Sequence, residues 1–329
     1  MGSPMAARGG QGALRAQRGI ALIIVLWITT LLMLIASSFI YAMRTDVKIV
    51  TNSLARARLE AAADAGVQRG ILEMMKPPQL PNRWTTDGVA QSWNYQGVAV
   101  DVSMTDESGK IDINTASEAL LRGLFIAQGM KDEEAVSVLD AILDWRDPDS
   151  LKRLHGAEEA EYIAAGYSYK PANAAFQSIE ELRLVMGMTP ELFDKVAPLI
   201  TIYSRQPGIN ASIAARGVLR AIPGATDVLV DAYIAQREQA RAGKLPIPQF
   251  VQAVPYSSFA NGIVIVRAVA SGGEGNEGST FAREAVVMRL PTPKRPYTFL
   301  RWKEGSVDII ADAPAGAPPT QQSPSAQRQ

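Results

Sequence analysis

The sequence predicts an α+β chain, in which a long N-terminal helix packs on a small antiparallel sheet and a large all-α domain is inserted in that sheet. Three observations carry this. Ile20 to Met43 holds no charged residue, and a run of that length spans a bilayer core as a helix. The helical period continues past the run to Lys76, with apolar side chains at Val47, Val50, Leu54, Leu59, Val67, Ile71, Leu72 and Met75 spaced mostly by threes and fours. Further on, two stretches with a strand-like period of two enclose a long middle whose period is helical.

Residues 1–19 carry Arg8, Arg15 and Arg18 and no acid, and read as a leader ending at Gly19. Residues 20–43 form the membrane-spanning half of the helix and residues 44–76 its soluble half, until Pro77-Pro78 ends it. At about 1.5 Å per residue the whole helix would be roughly 85 Å long. The arginines before the run place the N-terminus in the cytoplasm and the bulk of the chain outside. A secretory signal peptide fits less well, because its apolar core is only about 7–15 residues long and is followed by a small-residue exit. Here Ala36-Ser37-Ser38 lies inside the run.

Residues 77–108 form the first part of the sheet domain. Gln79 to Gly97 reads as loop with room for a short strand, and Val98 to Met104 alternates as a half-buried strand. Residues 109–250 form the inserted α domain, which contains an internal repeat. Ile113-Asn114-Thr115-Ala116-Ser117 leads into an apolar helix, and so does Ile209-Asn210-Ala211-Ser212-Ile213. A weaker third copy opens at Ser178, whose Glu181 completes a capping-box pattern. Each copy is followed by a second helix: Asp132–Trp145, Pro190–Tyr203 and Ala225–Ala242. Residues 251–310 return to strands at 263–270, 281–289 and 296–302, the first two joined by a Gly-rich turn. Residues 311–329 are a Pro, Ala, Gln and Ser tail with the composition of disorder.

Composition excludes several function classes. There are no cysteines and one histidine, His155, so disulfides, thiol catalysis and Cys- or His-based metal clusters are ruled out. The 33 basic and 33 acidic residues give no overall pull toward nucleic acid. No nucleophile elbow, phosphate loop or zinc-protease motif is present, so the chain reads as a non-enzyme.

A basic leader ending in glycine, a membrane-length helix running on into a soluble one, and then a small sheet resemble a type IV pilin or pseudopilin. A more specific resemblance rests on several motifs in order. They are Asp106 to Ser117, Leu143-Asp144-Trp145-Arg146-Asp147-Pro148-Asp149, Gly156-Ala157-Glu158-Glu159 with Tyr162, Tyr169 to Asn173, and Glu181-Leu182-Arg183. Together they resemble the minor pseudopilin K family of type II secretion systems. This implies a pilin-like fold and a bacterial inner-membrane protein with its bulk in the periplasm. It also implies cleavage by a prepilin peptidase between Gly19 and Ile20, methylation of the new N-terminus, and a place at the pseudopilus tip. The implied partners are minor pseudopilins I and J and the inner-membrane secretion platform. Pilins mostly carry a glutamate at mature position five, where it pairs with a neighbour's terminal amine. This chain has Ile24 there. An unpaired carboxylate is costly in lipid, so an apolar residue suits a subunit without that neighbour.

Asp144, Asp147, Asp149, Glu158, Glu159 and Glu161 lie within eighteen residues, broken by Pro148 and Gly156. Calcium takes about six to eight oxygen ligands, which such an irregular loop can supply. A solvated acidic face is the other reading, and the spacing is not that of an EF-hand. The family resemblance implies calcium, one or two ions, with Asp147, Asp149, Glu158, Glu159 and Asn173 as candidate ligands. The repeats also resemble helix-hairpin-helix units that grip DNA phosphates, which makes a membrane-anchored DNA-uptake receptor the alternative. Against it, residues 109–250 hold 15 basic and 19 acidic side chains, where a DNA clamp needs a basic stripe.

Overall fold

The computed structural model describes residues 18–77, 80, 82–272 and 278–304. The expected tail at 311–329 and most of the expected leader lie outside the described residues. The chain divides into two compact units, Met1–Arg58 and Leu59–Gln329.

A single helix, α1 (Arg18–Met75), runs from the first unit into the second. In the first unit its apolar side chains, such as Leu26, Trp27, Leu31 and Phe39, are exposed. Thr29 and Thr30 donate their hydroxyls to the Leu26 carbonyl at 2.9 and 2.7 Å. Both threonines of the apolar run therefore satisfy their hydroxyls within the helix.

In the second unit, α1 is followed by β1 (Gln91–Tyr95), β2 (Val98–Asp106), β3 (Ile111–Asp112), α2 (Glu118–Ala127), α3 (Asp132–Arg146) and α4 (Glu159–Ala164). Then come α5 (Pro190–Val196), β4 (Ile200–Thr201), α6 (Arg216–Arg220), α7 (Asp227–Ala242), β5 (Ile263–Ser271), β6 (Thr280–Thr292) and β7 (Arg295–Glu304). The main sheet is antiparallel in the order β1-β2-β5-β6-β7. Gln91–Tyr95 is thus the short strand expected within Gln79–Gly97, and it lies at the edge of the sheet. Its hairpin turn is Gln96-Gly97, with φ of 50° and 86°, the two positive values that a tight two-residue turn demands.

One face of the sheet carries Val100, Val102, Met104, Val264, Val266, Ala268, Ala270, Phe281, Ala285 and Val287. The α1 residues Leu59, Ala62, Ala63, Val67, Ile71 and Met74 bury against them. The helix comes close because it is bare at Gly66 and Gly70. A Cβ at Gly66 would stand 2.7 Å from the Ala268 Cβ, and one at Gly70 would stand 2.5 Å from Val266.

Everything between β2 and β5 is inserted and has its own core, which includes Ile113, Leu120, Leu124, Phe125, Ile142, Trp145, Tyr162, Phe176, Leu219 and Tyr233. That core runs beyond the expected Phe250, because Ala253 is buried in it and Tyr256 packs against it. Each repeat copy closes a pair of short helical segments at a glycine with positive φ: Gly129, Gly187 and Gly224. The third copy opens with a 3-10 turn, Ile179–Leu184, although Ser178 N–H does donate to the Glu181 carboxylate at 3.0 Å. The helix expected over Pro190–Tyr203 ends at Val196. Ile200-Thr201 leaves it to pair in parallel with Ile111-Asp112. Asp112, fully buried, holds that seam by accepting from Asn114 N, Thr115 N, Ser204 Oγ and Arg205 N.

Gly70→Leu should therefore wedge α1 off the sheet. Overpacking of this kind costs about 1–3 kcal/mol, against a helix-propensity gain of about 1 kcal/mol. The urea midpoint of the variant should fall, and an unchanged midpoint would contradict the close seating.

Candidate functional site

The acidic loop grows out of α3. Asp144 lies on the inward face of that helix beside Ala141, Ile142 and Trp145, and is fully buried. Asp147 closes the helix in an extended conformation, its N–H donating to the Leu143 carbonyl at 3.0 Å. Pro148 enforces that exit, since a residue before proline is driven out of the α region. The loop then returns. Arg153 N–H donates to both Asp144 oxygens at 3.2 and 3.3 Å. Gly156 lies so close that a Cβ there would stand 2.0 Å from Asp144 Oδ2. Glu158 precedes α4, and its N–H donates to the Glu161 carboxylate at 3.0 Å.

Aromatic rings floor the loop. Trp145 stacks on Phe176 with centroids 6.1 Å apart and lies 6.1 Å from Tyr162 and 6.5 Å from Tyr169. Tyr162 Oη accepts from Met186 N–H at 2.9 Å, and burial pushes its hydroxyl up to about 12.

Asp144, Asp147, Asp149 and Glu158 lie near enough to act on one another electrostatically. Burial raises the Asp144 carboxyl above the ordinary range, and the charge of Asp147 adds to it. Burial and the charge of Asp149 do the same for Asp147. Glu158 is raised by burial and by the charges of Asp144, Asp147, Asp149 and Glu161. Among the described residues nothing donates a hydrogen bond to the buried oxygens Asp147 Oδ1 and Glu158 Oε1. An orphaned anionic oxygen in such a place is costly unless a proton or a cation meets it.

The other candidate ligands are placed differently. Asp149 Oδ1 accepts from Leu151 N–H at 2.8 Å. Asn173, at φ 46°, donates its amide to the Asp149 carbonyl at 2.5 Å and ties the two limbs of the loop. Glu159 is exposed and paired with Lys170 at 2.9 Å. Among the described residues no three His, Cys, Asp or Glu side chains converge as a ready metal set. His155 is exposed, and only its backbone N–H joins the loop, donating to Asp140 at 3.1 Å. Asp144 is absent from the sequence-derived ligand set. Its signal was legible as an acid standing in the apolar stripe of a helix.

The processing candidates Gly19 and Ile20 lie at the start of α1. The repeats present no phosphate grip. The second helix of each pair opens with acid: Asp132, Glu133 and Glu134 in α3, Glu191 in α5 and Asp227 in α7. Neighbouring arginines are engaged internally, Arg122 with Asp132, Arg183 with Asp194, and Arg216 with Asp227 and Asp231. The stretch Asn114 to Ser117 serves packing instead. Asn114 exchanges two hydrogen bonds with the Phe176 backbone, and Ser117 caps α2.

Residues 100–205 match the family described as "Type II secretion system (T2SS), protein K". Type II secretion system protein K of Pseudomonas aeruginosa is 24% identical over 247 residues, covering 66% of this chain and 73% of that one. The protein K of Klebsiella pneumoniae is 25% identical, covering 56% and 62%, and that of Aeromonas hydrophila is 27% identical, covering 56% and 63%. Among solved structures, a chain of the GspK-GspI-GspJ complex from the enterotoxigenic Escherichia coli type 2 secretion system superposes with a TM-score of 0.56. It has 15% identity, over 78% of this chain and 97% of that one. This is a likeness of fold.

The raised carboxyls give a prediction with a definite sign. Their neutral forms are favoured by the fold, so the stability they contribute is present below the ordinary carboxylate pKa and is lost as pH rises through the raised values. In chelator, Glu158→Gln should raise the thermal midpoint near neutrality and flatten its dependence on pH above the ordinary carboxylate range. Parallel pH curves for variant and parent would remove Glu158 from the cluster.

Proposed function

We infer that this chain, which belongs to the type II secretion system protein K family, is a minor pseudopilin that caps the tip of the pseudopilus and initiates or completes its assembly. The chain is a minor pseudopilin of the type II secretion system, and what is inferred is its position. The observation that carries it is the bulk of the inserted α domain, set between β2 and β5 of a pilin-like sheet. A mass of that size would obstruct a subunit stacked above it in a helical array. Ile24 supports the same position, because a subunit at the end of a filament has no neighbour whose amine an acid there would meet.

α1 carries one stretch apolar enough to cross a membrane. The flanking arginines favour a single pass with the N-terminus in the cytoplasm and the rest in the periplasm. A prepilin peptidase would cut between Gly19 and Ile20, and methylation of the new amine would follow. The secretion platform would receive the mature subunit. Minor pseudopilins I and J are the proposed partners, by analogy with the complex named for the solved neighbour.

The proposed ligand of the acidic loop is Ca2+, one or two ions. Asp147 and Glu158 supply orphaned buried oxygens, and Asp144 and Asp149 complete the negative field. Glu159 could join after releasing Lys170, and Asn173 would contribute through the limb it ties. The ion would neutralise the repulsion and pin the loop. A ligand that binds only the folded state stabilises it by mass action. Chelation should lower the melting temperature, and Ca2+ should restore it in preference to Mg2+. No response to chelator would leave a solvated acidic face.

The functional reading is tested by isolating the chain from membranes of a host that supplies the peptidase and both partners. It should co-purify with the two partners, begin at Ile20 by intact mass, and show no salt-sensitive affinity for DNA. Isolation of the chain alone, in long filaments or bound to DNA, would overturn it.

A further inference from the structure

We propose that the tip of the β6–β7 hairpin is a docking site for an acidic segment of another protein, one that carries an apolar side chain among its carboxylates. From Ala285 to Lys303 the chain holds Arg289, Lys294, Arg295, Arg301 and Lys303 and no acid. The last two are already paired, Arg301 with Glu180 and Lys303 with Glu284, both at 3.3 Å. Arg289, Lys294 and Arg295 are exposed, and among the described residues none of the three has an ion-pair partner. Arg295 donates only to Thr298 Oγ1, at 3.4 Å. Acids on the neighbouring elements do not cancel them. Glu73, near the end of α1, is buried and bound by Arg69 at 2.7 Å and Lys76 at 2.6 Å. Asp106, two strands away on β2, is buried and accepts from Ser108 N–H at 2.9 Å.

The hairpin holds these cations stiffly. Pro291, Pro293 and Pro296 fix φ at three of its positions. Thr292 pairs with Arg295 across the turn Pro293-Lys294, and its hydroxyl donates to the Arg295 carbonyl at 3.0 Å. The β6–β7 ladder shifts register between Val286 and Val287 and again between Arg289 and Thr292. Such shifts twist a strand pair and re-aim its side chains. Arg289 N–H donates to the Gly262 carbonyl at 2.8 Å, which ties the base of the tip to the start of β5. A site ordered in advance loses little freedom when a ligand arrives.

A cavity beside the cations narrows the occupant. It measures about 350 Å3 and lies between Met75, at the end of α1, and Arg289, Leu290, Pro291, Pro293 and Pro296. Proline walls have no rotamer freedom to lose on binding. A lipid surface or a phosphate backbone would offer the cations charge but nothing to fill a concave apolar notch. An acidic peptide segment offers both: its apolar side chain enters the notch, and its carboxylates meet Arg289, Lys294 and Arg295. The planar arginine fork also matches a carboxylate in two-point contact.

The test uses the full chain in a neutral detergent, with a fluorescent peptide alternating glutamate and phenylalanine as probe. Anisotropy should show saturable binding that weakens with salt. Arg289→Glu with Arg295→Glu should lower the affinity by about tenfold or more. Arg289→Lys with Arg295→Lys should retain most of it, and Lys244→Glu, at an exposed position after α7, should leave it unchanged. A second peptide with alanine for phenylalanine should bind the parent chain several-fold more weakly. That comparison stands even where a charge reversal unfolds a variant. No saturable binding, binding indifferent to the arginine reversal, or equal binding of the two peptides would overturn the site. So would phosphatidylglycerol vesicles or duplex DNA that bind through the same arginines more tightly than the peptide does.

Discussion

The ladder between β2 and β5 is the constraint on which the rest of the second unit depends. It pairs Ala99 with Ser271 through to Asp106 with Val264, across an insertion as large as a domain. Closing so long a loop costs only logarithmically more than closing a short one, provided the insertion returns its ends to the same place. Its own packing ensures that return. Asn210 N–H donates to the Ser108 carbonyl at 2.7 Å, Ile209 N–H to the Tyr256 carbonyl at 2.7 Å, and Ser258 N–H to the Ile209 carbonyl at 2.9 Å. The Asp112 seam sits just beyond. Entry and exit are thereby bound to each other as well as to the sheet.

The long helix serves two environments with one backbone. Its first part can be apolar on every face, because it contains no charge and its threonines are internally bonded. Its last part is selective. Small residues at Ala62, Ala63, Gly66 and Gly70 face the sheet, while Glu60 and Asp64 are held by Arg283. The absence of a Cβ at Gly66 and Gly70 sets how near the sheet lies.

The acidic loop is built against unfavourable charge. Asp144, Asp147 and Glu158 are each held where the ionised form is disfavoured. Trp145 Nε1 beside them is buried with no acceptor among the described residues. A loop arranged this way gains from neutralisation, and its geometry is over-determined by Arg153, Gly156 and Asn173, so relief of the repulsion would stiffen it and not reshape it.

The sequence alone determined the parts that rest on period and composition. The charge-free run and the alternations at 98–104, 263–270 and 281–289 correspond to α1, β2, β5 and β6, because burial on one face imposes its period directly on the chain. The capping pattern at Ser178 and Glu181 was legible for the same local reason. The acid cluster was visible as a cluster, yet its internal roles were not. Burial of Asp144, the pairing of Glu159 with Lys170 and the tie from Asn173 depend on segments that meet only after folding. Pro198 interrupts the helix expected over Pro190–Tyr203, and tertiary pairing then takes Ile200-Thr201 beside Ile111-Asp112; pairing with β2 likewise fixed the short strand within Gln79–Gly97 at Gln91–Tyr95. The bulge at Val286 and Val287 has no local signature at all. Which face Trp302 takes is decided by the cross-strand register, and that exists only in the assembled sheet.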